Sequence, residues 1–165
     1  IGVLCMSLNG KHPLMWAHYA QEHRGLVIEF DENAPCFNRR RNSTDELGAF
    51  RPVRYSATRP FITGDASAEW FEHLALTKAL EWAYEEEVRF LLDVSCADRK
   101  VNDNIALIDV PASAVQSVTF GCRATSEFIE TVTKQLQRLG SASHVDLFLA
   151  EVDNRHFALN YMPMK

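Results

Sequence analysis

The chain has 165 residues, 47% hydrophobic and 24% charged, which suits a single ordered domain with one core and excludes a disordered chain. Its formal net charge of -5 argues against a protein held to nucleic acid through the phosphate backbone, which needs clustered lysine and arginine. The basic run Arg39-Arg40-Arg41 lies beside Asn42, Ser43, Thr44 and Asp45 and reads as a solvated loop. No apolar run reaches membrane-spanning length and no signal-peptide pattern is visible. Cys5, Cys36, Cys96 and Cys122 are widely separated, without the spacing of a zinc site, so they read as reduced thiols and no metal is expected. Cytoplasmic location follows as the expectation.

In chain order, Val3 to Ser7 reads as a strand. It starts almost at Ile1 with no lead-in, which suggests missing upstream material. Asn9-Gly10 signals a turn. Pro13 suits a first helical position, Leu14 to His23 reads as a short helix, and Gly25 stops it. Leu26 to Phe30 alternates as a strand. Residues 32 to 50 are polar and irregular, and Val53 to Ser56 reads as a brief strand. Ser67 then caps an expected helix running to about Trp82. Strands follow over Glu87 to Val94, Ile105 to Val110 and Val115 to Phe120, with a turn at Asn102-Asp103. Thr125 or Ser126 caps a helix whose Phe128, Ile129, Val132, Leu136 and Leu139 form one stripe. Val145 to Val152 and Phe157 to Met162 pair as a hairpin around Asp153-Asn154. About three helices and six or seven strands without regular alternation make this an α+β fold with a mixed or mainly antiparallel sheet.

The densest chemistry is Lys78-Ala-Leu-Glu-Trp82-Ala-Tyr84-Glu85-Glu-Glu87-Val-Arg89. On the expected helix, Lys78 falls within the stripe of Phe71, Leu74, Ala75 and Trp82. A lysine there either snorkels or meets a buried carboxylate. In an extended strand Glu85, Glu87 and Arg89 share one side, with Val88, Phe90 and Leu92 on the other. The plain reading is a charged outer face. The functional one is a cleft in which Trp82 and Tyr84 wall off an acid.

A second constellation lies at Met15-Trp16-Ala-His18-Tyr19. Met15, Trp16, Tyr19 and Ala20 make the apolar stripe and His18 lies off it, as a surface residue or a proton carrier. Together, Glu87, Glu85 and His18 are the candidate catalytic groups. Trp16, Tyr19, Lys78, Trp82, Tyr84 and Arg89 are the candidate ligand-binding ones.

The segments Pro13-Leu-Met15-Trp16-Ala-His18-Tyr19-Ala and Trp82-Ala-Tyr84-Glu85-Glu-Glu87-Val-Arg89, with Cys5-Met-Ser7, Arg24-Gly25-Leu and Phe30-Asp31, resemble the bacterial domain of unknown function numbered twenty-nine seventy-one. The resemblance spans residues 3 to about 139. The late Glu-x-Glu entering a strand also resembles the order of parts in ADP-ribosyltransferases. That likeness implies NAD as the consumed nucleotide, Glu87 or Glu85 as the acid that stabilises the oxocarbenium-like sugar, and Tyr84 or Tyr19 as a stacking ring. The alternative expectation is a non-catalytic ligand-binding or regulatory module of a defence or toxin system, with the charged junction as a structural ion network. A magnesium-dependent nuclease is the third reading. A small-molecule or nucleotide ligand is the expected partner, and composition sets no oligomeric state.

Overall fold

Alternating β-branched and aromatic residues around the charged junction build the central strand of the first sheet. The computed structural model describes residues 1–43, 45, 47–61, 73–102, 105–140 and 144–164. Its fold is α+β, as expected, with mostly antiparallel sheets. The chain divides into two compact units, one of residues 1–9 and 35–109 and the other of residues 10–34 and 110–165.

In the first unit, β1 (Gly2–Ser7), β3 (Phe50–Pro52) and β6 (Glu87–Leu92) form an antiparallel sheet in the order β1-β6-β3. Register places Cys5 opposite Arg89 and Ser7 opposite Glu87. Phe90 is on the other side of β6, where it packs with Phe37 and Phe50 at ring-centroid distances of 6.2 and 5.5 Å. Edge-to-face and tilted aromatic contacts of this kind add to the area buried. β4 (Arg54–Ser56) pairs in parallel with β5 (Thr77–Ala79), and β7 (Arg99–Asn102) pairs with β8 (Ile105–Leu107).

The expected helix up to Trp82 needs correction in its later part: residues 73–75 are helical, but the helix ends before Thr77. Residues 77–79 are β5, and Leu80–Glu85 form a 3-10 helix. The parallel pairing of Lys78 with Tyr55 supplies backbone partners that a helix would have found locally. Ser67 and Phe71, assigned to that helix, lie outside the described residues. So does Asp103 of the expected turn.

In the second unit, β2 (Leu26–Phe30), β9 (Val115–Phe120), β10 (Asp146–Val152) and β11 (Leu159–Pro163) form a sheet in the order β11-β10-β9-β2. β9 and β10 run parallel, joined through the helix α2 (Ser126–Arg138), and the other pairs are antiparallel. The Thr125 side chain accepts from the Phe128 N–H and caps α2 as the sequence indicates. The apolar stripe Phe128, Ile129, Val132 and Leu136 packs with Val118, Phe120 and Leu147. The other face carries α1 (Pro13–Tyr19) through a cluster of Trp16, Ala20, Ala150 and Leu159.

Helix α1 stops at Tyr19, short of the expected His23. Gln21, Glu22 and His23 have φ of 49°, 53° and 68°, the left-handed region that ends helices. Their turn is held by Gly25 donating to the Ala20 carbonyl and His23 donating to the Trp16 carbonyl. It brings the His23 ring parallel to Trp16 at 6.4 Å.

Candidate functional site

The last residue of the 3-10 helix and the first of β6 bring two buried carboxylates, Glu85 and Glu87, against cations. Glu85 is 3% exposed and Glu87 5%. Burying an ionised carboxylate is costly unless it is paired and hydrogen-bonded. Glu87 meets both conditions. Arg89 Nε donates to its Oε1 at 2.7 Å, Lys78 Nζ donates to its Oε2 at 2.9 Å, and a second Arg89 nitrogen lies 3.3 Å from Oε2. Lys78 Nζ also donates to Glu85. Arg89 Nη1 donates to the Ala75 carbonyl at 2.5 Å, and the Glu87 N–H donates to the Tyr55 hydroxyl at 2.7 Å.

The electrostatics follow this geometry. Burial by itself raises the Glu87 pKa, but hydrogen bonds from Arg89, Cys5 and Lys78 outweigh it and bring the carboxyl down to about 2. Burial by itself lowers the Lys78 pKa, yet its bonds to Glu85 and Glu87 push it up to about 12. The bond to Glu87 also raises Arg89. Burial pushes the Cys5 thiol up, and Glu87 adds to the effect, which makes this cysteine a poor nucleophile.

The lysine reaches the carboxylates from a strand rather than a helix. Glu86, at φ 45°, lets the chain turn from the 3-10 helix into β6 with Glu85 and Glu87 both facing inward. Lys78 Nζ lies 5.1 Å from the Trp82 ring centroid, a cation–π contact. Trp82 is 38% exposed and stands 6.1 Å from Tyr84 at 36°. The first unit therefore gathers six of the candidate residues: Lys78, Trp82, Tyr84, Glu85, Glu87 and Arg89. Cys5 and Tyr55 join them through strand pairing that no local sequence signal carries.

Trp16, His18 and Tyr19 belong to the second unit. Trp16 has no exposed surface, and its Nε1 donates to the Gly10 carbonyl at 2.7 Å. Tyr161 donates to the same carbonyl. His18 and Tyr19 are exposed on α1, with their rings edge to face at 6.3 Å. Tyr19 is 62% exposed, so the stripe on this helix buries Trp16 and Ala20 and leaves Tyr19 outside.

A feature absent from the sequence reading lies on the same sheet face as α1. That helix has seven residues and covers only the end of the face near Ala150 and Tyr161. Beyond it is a hollow of about 420 Å³ whose lining includes Glu29, Asp31, Ser117, His144, Asp146 and Phe148. Strand register explains the row of polar groups, since Ser117 pairs with Glu29 on one side and Asp146 on the other. The Ser117 hydroxyl donates to Glu29 Oε2 at 2.7 Å. Beside this row the pairing slips between Glu29 and Phe30, a bulge that leaves Gln116 extra in β9. Among the described residues, no group of three His, Cys, Asp or Glu side chains could hold a metal ion.

Residues 15–90 match the model of the family described as "Protein of unknown function (DUF2971)", the family that the motifs around Trp16 and Glu87 resemble. No curated protein and no solved structure matches the chain.

Proposed function

With residues 15–90 matching a family whose description names no activity, we propose from the site that this chain is a non-catalytic ligand-binding or regulatory module whose charged junction is a structural ion network. One observation carries the reading: both carboxylate oxygens of Glu87, 5% exposed, are taken up by Arg89 and Lys78. An acid that stabilises an oxocarbenium-like sugar must turn its negative charge toward the reacting carbon. Glu87 spends that charge on its own cations. Its low pKa equally removes it from general-acid duty near neutral pH.

The NAD-consuming reading keeps one supporting observation, the partly exposed pair of Trp82 and Tyr84 beside Lys78, which offers a stacking surface. Incubation with NAD separates the two. The module reading expects no NAD loss above the blank from either the native protein or Glu87→Gln, together with a lower Tm for the variant. NAD turnover abolished by Glu87→Gln at unchanged Tm would overturn it.

A further inference from the structure

We propose that a second copy of this chain pairs antiparallel with the outer edge of β1, joining the first-unit sheets of the two copies into one. β1 stands at the end of its sheet, with β6 on one side and, among the described residues, no strand on the other. Register fixes which way its backbone groups point. Leu8 donates to the Glu86 carbonyl, which continues the pairing of Gly2, Leu4 and Met6 with Leu92, Phe90 and Val88. Hydrogen-bonded and non-hydrogen-bonded pairs alternate in an antiparallel ladder, so these even-numbered residues bond to β6. On β6 itself, the Leu91 carbonyl accepts from Gly48, the Glu87 carbonyl accepts from Val53, and the Glu87 N–H donates to Tyr55. The odd-numbered residues of β6 thus turn away from β1. Val3, Cys5 and Ser7 opposite them therefore turn their N–H and C=O groups outward, and the side chains of Val3 and Cys5 are exposed.

Open edges are ordinarily guarded by charge, proline or a bulge. The other three edges of the two larger sheets are guarded in these ways: β3 by Arg51 and Pro52, β2 by Glu29 and a register slip, β11 by Pro163. β1 has six residues, Gly-Val-Leu-Cys-Met-Ser, and none of these devices. The occupant that fits is β1 of another copy, because an antiparallel strand is its own complement about a two-fold axis. With the axis at Cys5, that residue opposes its own counterpart, Val3 the counterpart of Ser7, and Leu4 that of Met6. No like charges meet, whereas the same operation at β3 brings two copies of Arg51 together, which opposes pairing. Leu4 and Met6, half-buried on the Phe90 side of the sheet, gain cover from each other. A two-fold contact also closes at two chains and does not propagate into a fibre.

The test is analytical ultracentrifugation of the chain under reducing conditions over a concentration series. A single strand pairing makes a small interface, so a monomer–dimer equilibrium should appear with a midpoint on the order of 100 µM. Over the same series, hydrogen exchange of the ¹⁵N-labelled chain should slow at the Val3 and Cys5 amides as the dimer fills. Leu4 and Met6, already bonded to β6, should keep the protection they have. Val3→Pro removes an outward N–H and leaves the bonds to β6 in place. It should melt near the native Tm and weaken dimerisation roughly tenfold or more. A chain that stays monomeric throughout, a dimer that leaves Val3 and Cys5 unprotected, or a folded Val3→Pro variant that dimerises as tightly as the native chain would each overturn the proposal. The exchange measurement uses the native chain and holds whether or not the variant folds. Dimerisation is read without NAD, so its failure leaves the module reading to its own NAD and melting assays.

Discussion

Glu87 ties the charged junction to pH. Its carboxyl lies at about 2 in the folded chain against an ordinary 4.5. An acid whose pKa drops on folding stabilises the fold above its unfolded value, and that stabilisation fades as pH falls through the folded one. The contribution, about 3 kcal/mol by linkage, is therefore whole at neutral pH and lost between 4.5 and about 2. Lys78 runs the opposite way. Its pKa rises from 10.5 to about 12, so its share is whole below 10.5 and is lost as pH climbs toward 12. Urea unfolding of Glu87→Gln should show a lower plateau at neutral pH and a shallower loss on acidification than the native chain. Parallel profiles would mean that Glu87 carries none of the acid sensitivity. Removing a cation is the harsher change. Lys78→Ala should cost roughly 3 kcal/mol in the same assay, because it leaves two buried carboxylates short of a partner; a loss within about 0.5 kcal/mol would contradict a buried network.

At the scale of elements, the short helix α1 depends on how its end is closed. The left-handed run Gln21 to His23 folds back over Trp16, and the chain at Gly121 passes directly beneath it. A Cβ at position 121 would lie 2.1 Å from the His23 carbonyl oxygen and 3.1 Å from the Trp16 ring. The nearest atom is backbone and cannot swing aside. Arg123 donates to the same His23 carbonyl at 3.0 Å, which pins it further. Gly121→Ala should destabilise the second unit by about 2 kcal/mol, within the range for overpacking, and lower the thermal midpoint. An unchanged midpoint would show that the turn yields freely. The cap of α2 is a local matter by comparison, since Thr125 and Phe128 are three residues apart in sequence and need no distant partner.

At the scale of the whole molecule, the chain passes between its two units three times, after residues 9, 34 and 109. Neither unit is one continuous stretch. β2 comes from the first third of the chain and pairs with β9 from the last, so the second sheet forms only by closing a long loop. A chain cut to residues 1–109 keeps every segment of the first unit and loses β9, β10, β11 and α2. Its amides in β1 and β6 should retain protection from hydrogen exchange while those of α1 and β2 lose it. Protection kept at β2 would contradict the division into units.

The sequence alone determined the parts whose signals are local. The strands at Leu26–Phe30 and Val115–Phe120, the Thr125 cap, the hairpin at Asp153 and the α+β class follow from alternation, turn chemistry and capping over a few residues. The pairing of Lys78 with Glu85 and Glu87 was one of two alternatives in the sequence, but it rested on a helical stripe through Lys78 that the structure replaces with β5 and a 3-10 helix. Tertiary structure decided the rest. Thr77–Ala79 is a strand because Arg54–Ser56 lies beside it, some twenty residues away in sequence. Glu29, Ser117 and Asp146 share a row because three strands align. Period and propensity act within a turn or a strand, whereas backbone pairing between distant segments sets which residues become neighbours, and a hollow exists only among neighbours.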